Sequence, residues 1–222
     1  MSRIKDREQA ILLRKQGFSY GMIKQIIGVS KSTLSGWLKN YPLSEKRIEL
    51  LRSHNQQQVE RCRETKRRKK EDRLQTTYRN QKRRLLPLTA REFYLCGLFL
   101  YWGEGAKTHE STLSISNSDP AIVNFFIKWV TVALKMPREK IKIDLHLYKD
   151  MNIEKELNFW SEILNIPRNQ FIRPYIKKSE STRINHKGSF GHGTCNARIG
   201  NARLTEQVLM GIKAITDKYR RV

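Results

Sequence analysis

Acidic residues are scarce in this chain, and so are cysteines and long apolar runs. Its 222 residues hold 21 Asp and Glu against 44 Lys and Arg, a formal charge of +23. A chain so one-sided repels itself and calls for a polyanionic partner. Nucleic acid is the first candidate and a membrane surface the second. The excess is not confined to a tail. Residues 1–43 carry 8 basic against 2 acidic side chains, residues 44–86 carry 15 against 6, and residues 87–222 carry 21 against 13. That spread suits contact with a phosphate backbone along the whole length, in DNA or in structural RNA. The three cysteines, Cys62, Cys96 and Cys195, are odd in number and far apart. This argues against a disulfide framework and for a reducing compartment. No apolar run is long enough to span a bilayer, and charged residues follow Met1 where a secretory signal would be apolar. The expected address is the cytoplasm, in association with the nucleoid. There is no P-loop and no dinucleotide fingerprint, and no Ser/His/Asp set stands out.

Residues 44–86 lack glycine and proline altogether and are crowded with helix formers. Their apolar residues follow no heptad, which excludes a coiled coil. The segment reads as a basic helical linker, a long polar helix with one break near Ser53-His54-Asn55. Its run of Arg67, Arg68, Lys69 and Lys70 is either a solvated charge face or a DNA contact. A helix without its own core extends about 1.5 Å per residue, so it can carry the segment before it away from the rest of the chain.

Residues 1–43 predict three short helices, about 6–15, 20–27 and 31–39. Gly17 and Gly28 end the first two, and Ser19 and Ser30 are N-caps for the second and third. Ala10, Ile11, Leu12 and Leu13 supply an apolar face, and Ile23, Ile26, Ile27, Leu34, Trp37 and Leu38 a small core. The stretch SYGMIKQIIGVSKSTLSGWLKN resembles the helix-turn-helix of resolvases, transposases and many bacterial regulators. That resemblance makes the third helix a recognition helix, with Lys31, Ser32, Thr33, Ser35 and Lys39 facing double-stranded DNA. Short polar side chains beside lysine suit base edges and phosphates together. The alternative is a three-helix bundle that binds only protein.

Residues 87–222 predict an α+β core: helix 90–103, strand 112–117, helix 120–134, strand 140–148, helix 152–165, strands near 170–177 and 193–199, and helix 202–219. KIKIDLHLY alternates as a half-buried strand should. Asp119 and Pro120 read as N-cap and first residue of a helix. The polar stretch from Lys177 to Gly193 reads as a basic loop. His186, His192 and Cys195 lie close in sequence, but no fourth ligand or zinc-module spacing accompanies them.

The apolar stretch YLCGLFLYW runs into Gly103-Glu104-Gly105. Gly97, Leu100 and Glu104 fall on one face of a helix, with Cys96 beside them, so small residues there would let a second helix approach. A carboxylate at a helix C-terminus opposes the dipole and invites a cation. The plain alternative is an exposed acid in a glycine turn. The helix, its Gly-acid-Gly end, the strand TLSISNSD and the order of elements over residues 91–219 together resemble the LAGLIDADG homing endonucleases. The acid here is Glu where the family has Asp, Tyr101 and Trp102 are bulkier than its usual residues, and helix 152–165 looks inserted. The resemblance implies a LAGLIDADG-like mixed α/β core and a metal-dependent endonuclease. Glu104 would hold a divalent ion, Mg2+, with Lys107 and Lys142 as helpers near the phosphate. A single motif implies a homodimer on a near-palindromic site. The same resemblance leaves open a transcription regulator that binds without cutting.

Overall fold

The computed structural model describes residues 3–51, 54–178 and 191–220, without the side chains of residues 54–56. The chain divides into two compact units, Met1–Leu86 and Pro87–Val222.

In the first unit α1 (Ile4–Lys15), α2 (Tyr20–Ile27) and α3 (Lys31–Leu38) form where the caps predict. The Ser19 hydroxyl accepts from the Met22 N–H and the Ser30 hydroxyl from the Thr33 N–H. Gly17 and Gly28 adopt positive φ, the left-handed conformation that lets a helix stop without a Cβ clash. Ala10, Tyr20, Ile23, Val29, Leu34 and Leu38 make the core. Two residues expected inside are outside: Leu12 is 61% exposed and Ile26 51%. The inward stripe of α1 is Ala10, Leu13 and Arg14, and Leu12 lies about 200° round the helix from Ala10. On α2 the stripe runs through Tyr20, Ile23 and Ile27, and Ile26 flanks it.

Two helices follow, α4 (Glu45–Glu49) and α5 (His54–Leu85). The expected break falls between them, partly outside the described residues. Leu43, Ile48 and Leu51 bury themselves with Met22 in a satellite cluster. The start of α5 is then fastened by charge. Glu60, 4% exposed, accepts from Arg14, 3% exposed, at 2.7 Å and from Arg63 at 2.5 Å. Both guanidinium groups also lie over the Tyr20 ring, at 4.6 and 4.0 Å. Arg14 donates further to the carbonyls of Phe18 and Tyr41. From Thr65 to Leu86 every residue is exposed, so the rest of α5 has no core, as its composition predicts.

In the second unit α6 (Ala90–Glu104), α7 (Pro120–Lys128), α8 (Ile153–Leu164) and α9 (Ala202–Tyr219) accompany a mixed sheet. Its strands are β1 (Thr112–Asn117), β2 (Lys142–Tyr148), β3 (Tyr175–Lys177) and β4 (Thr194–Gly200), in the order β1-β4-β2-β3. Only the β2–β3 pair is parallel. Leu113, Ile115, Ile143, Leu145, Leu147, Cys195, Ala197 and Ile199 enter the core. Their alternates form a second, polar face, as period-2 patterning requires.

The helix expected to reach 134 instead leaves α geometry at Trp129 and makes a π-helical turn to Ala133. The wider turn puts Trp129 and Val130, consecutive in sequence, both inside. The strand expected over 170–177 is only three residues long. Pro174 has no N–H to give a ladder, and residues 168–170 form a 3-10 turn. Among the described residues no helix is long and apolar enough to cross a membrane.

Replacing Glu60 by Ala leaves Arg14 buried without its partner, which costs about 3–5 kcal/mol. Hydrogen exchange of the α1–α3 amides in the full chain should accelerate accordingly. Unchanged protection would show that the pair does not hold α5 to the bundle.

Candidate nucleic-acid interface and the carboxylate at the end of α6

On α3, Leu34 and Leu38 point into the bundle, and Lys31, Ser32, Ser35, Gly36 and Lys39 are exposed. Thr33 is half-buried, and its hydroxyl shares the Ser30 hydroxyl at 2.9 Å. Ser32 reaches the same Ser30 oxygen at 2.8 Å. Two of the short polar side chains expected at an interface therefore also brace the helix start. Gly36 is the unforeseen member of the row. A Cβ there would meet nothing within 4 Å, yet glycine inside a helix costs about 1 kcal/mol relative to Ala. Its place on the outer face leaves that face flat.

The four cations expected on α5 are not placed alike. Arg67 and Lys70 line a groove with Ser35 and Lys39 of α3, and Lys66 joins them. Arg68 and Lys69 are not among its walls. Arg67 is engaged by Glu64 at 2.6 Å and Glu71 at 3.1 Å. The Arg67 hydrogen bond holds the Glu64 carboxyl below the usual carboxylate range.

α6 begins with a capping box. The Thr89 hydroxyl accepts from the Glu92 N–H, and the Glu92 carboxylate accepts from the Thr89 N–H. Of the face expected to receive a second helix, Gly97 is turned inward, Leu100 is half-buried and Glu104 is exposed. Gly97 is buried, and a Cβ on it would stand 2.1 Å from the indole of Trp129. Trp129 also donates its Nε1–H to the Tyr94 carbonyl at 3.0 Å and stacks on Tyr101. The small residue at 97 thus admits a side chain of the same unit. Past the first turn of α6, the residues left outside are Cys96, Phe99 (49% exposed), Trp102 (39%), Gly103 and Glu104. Phe99 and Trp102 pair their rings at 5.8 Å. A Cβ on Gly103 would meet nothing.

The two glycines framing Glu104 do different things. Gly103 belongs to the outer face. Gly105 has an ordinary extended backbone, but a Cβ there would meet the Tyr101 ring at 2.4 Å. Gly105 bridges Ile115 in antiparallel fashion, and the Ala106 N–H donates to Ser114 O at 3.0 Å. The chain therefore leaves α6 directly along the edge of β1. The buried Tyr101 hydroxyl donates to the Ala106 carbonyl, and burial raises its phenol pKa.

Glu104 emerges exposed at that edge, with the Asn117 amide at 3.4 Å. Lys107 donates to the Gly105 carbonyl at 2.9 Å, within the same turn. Lys142 stands on the polar sheet face, on a strand separated from β1 by β4 and in register with Arg198. Two strand spacings, about 10 Å, separate it from β1. That face also holds His146 against Tyr175 at 5.4 Å and Lys177 over the Tyr148 ring at 4.8 Å. Arg198, Lys177, Tyr148 and Tyr175 share this face and were not among the expected site residues. The alternation in KIKIDLHLY and TCNARIG is the signal that groups most of them.

Among the described residues no three His, Cys, Asp or Glu gather as a metal-binding group. Of the zinc candidates, His192 gives its Nδ1 to the buried Glu156 at 2.6 Å and stacks on Phe159. Cys195 lies in the core, where burial pushes its thiol pKa far up. His186 and most of the basic loop lie outside the described residues. Comparison with known proteins finds no family model, no curated protein and no solved structure that matches the chain.

The two helix glycines of α6 should respond oppositely. Gly97→Ala forces its methyl into the Trp129 ring and should lower the melting temperature of the second unit by several degrees. Gly103→Ala, in the open, should leave the melting temperature unchanged or raise it, in line with a gain of up to about 1 kcal/mol of helix stability. Calorimetry of the two variants decides; equal effects would refute the inward orientation.

Proposed function

We propose that the protein binds double-stranded DNA sequence-specifically and cleaves it as a homing-type, metal-dependent endonuclease with a LAGLIDADG-like core. The observation that carries the binding reading is the outer row of α3, Lys31, Ser32, Ser35, Gly36 and Lys39, which the bundle leaves uncovered. Lysines at both ends suit phosphates, the serines suit base edges, and the flat middle suits close approach to a groove. The polar sheet face, with Lys142, Lys177 and Arg198, adds cations on the second unit.

Cleavage rests on Glu104. An exposed carboxylate with one weak amide partner fits Mg2+, which uses one or two carboxylates and takes its other ligands from water and phosphate. When bound, the metal polarises the phosphate and lowers the pKa of an attacking water. Lys107, tied to the Gly105 carbonyl, keeps a cation in the same turn. One chain supplies one such acid, so the active form is a homodimer. Its contact is the outer face of α6, through Cys96, Phe99, Trp102 and Gly103. A chain that bound DNA unpaired would present one acid per site, which would favour the second reading, a transcription regulator that does not cut.

Selection of bound duplexes from a random pool supplies the site. On it, Glu104→Gln should bind as well as the natural chain or better, because a repulsion with phosphate is gone. Its Mg2+-dependent nicking should fall by at least about a hundredfold. Natural protein that binds its site tightly and never nicks it in Mg2+ or Mn2+ would leave the regulator.

The dimer has its own test. At saturating protein, sedimentation should find two chains per site, and Phe99→Asp should reduce this to one. A single natural chain per site would refute the pairing.

A further inference from the structure

The groove between α3 and α5 has an accessible volume of about 280 Å³ and lies wholly within the first unit. Its floor is apolar, with Leu38, Leu43 and Ile48, and its rim is charged. Two acids stand in its walls, Glu60 and Glu64. Both are already matched. Glu60 is held by Arg14 and Arg63, and Glu64 by Arg67. Three rim ammonium groups, Lys39, Lys66 and Lys70, have no acidic partner among the described residues. Lys66 and Lys70 are four apart and so share one face of α5. Lys39 belongs both to this rim and to the outer row of α3.

We propose that Lys39, Lys66 and Lys70 clamp the phosphate backbone of the duplex seated on α3, so that α5 is a DNA-contacting element through this one face. The inference rests on the reading of α3 as a duplex-binding helix. The physical logic is that internal arginines neutralise the groove's own carboxylates. What remains on the rim is a net positive edge running away from the end of the α3 row. Ser35 and Lys39 line the same groove as Lys66 and Lys70, so a duplex seated on them lies beside that edge. Arg68 and Lys69, outside the groove, remain with solvent.

The test compares two variants of equal charge change in the full chain, Lys66→Gln/Lys70→Gln and Arg68→Gln/Lys69→Gln, on a selected duplex. Each phosphate contact contributes about 0.9 to the slope of log K against log salt. The groove variant should therefore lose about 1.8 of slope and bind at least about tenfold more weakly at moderate salt. The other should stay within about 0.5 of the natural slope. Acetylation of the natural protein, read by mass spectrometry, should find Lys39, Lys66 and Lys70 protected by duplex and Lys69 unprotected. Equal slope losses in the two variants, or protection of Lys69 equal to that of Lys66 and Lys70, would overturn the clamp. If the natural chain binds duplex and weakens on Lys31→Ala while the groove variant keeps its slope, the clamp alone falls. If the natural chain shows no salt-dependent duplex binding, the reading of α3 falls with it.

Discussion

The indole of Trp129 occupies the space that a side chain at residue 97 would need, and the second unit is arranged around that fit. Contact at this range leaves no freedom for α6 to rotate about its own axis. With Gly97 fixed inward, Tyr101 must also be inward, one turn later. Phe99 and Trp102 must then be outward. The hydrogen bond from the indole to the Tyr94 carbonyl fixes the ring within its slot. The π-helical turn at 129–133 is what delivers the ring there. Once the rotation is set, so is the place where Glu104 leaves the helix, because Gly105 and Ala106 go straight into pairing with β1.

The first unit has a different anchor, a buried ion pair. A guanidinium and a carboxylate held away from water are favourable only when nearly every hydrogen-bonding group is used. Arg14 meets that condition with Glu60 and the carbonyls of Phe18 and Tyr41, while Arg63 takes the other Glu60 oxygen. The arrangement fastens the start of α5 to the bundle without enlarging a small apolar core. It also withdraws an acid from a surface that would otherwise repel a polyanion. Glu64 and Arg67 repeat the second effect at the surface, where the pair adds little stability.

Much of the local architecture was legible because its causes lie within a few residues. Ser19, Ser30 and Asp119 each accept from an N–H two or three positions on. Gly17 and Gly28 end helices by a backbone conformation that other residues avoid. The alternation in KIKIDLHLY placed Ile143, Leu145 and Leu147 inside before any strand partner was known. The orientation of α6 was not legible, because residues 93–102 are apolar on all sides and carry no moment to mark an inner face. The groove on α5 escaped for a related reason: in a run of adjacent cations, only a neighbouring helix distinguishes Lys66 and Lys70 from Arg68 and Lys69.

The sequence by itself therefore determined most of the helices, the ends that Ser19, Ser30, Asp119, Gly17 and Gly28 mark, the alternating strands and the basic character of every segment, since these depend on propensity, capping and charge near at hand. Tertiary structure alone decided which side of α6 is buried, why Gly105 must be glycine, and which cations share a groove with α3. Each of those depends on an atom far away in the chain. Trp129 is 32 residues from Gly97 and Glu60 is 46 residues from Arg14, and contacts at such range arise from packing rather than from local preference.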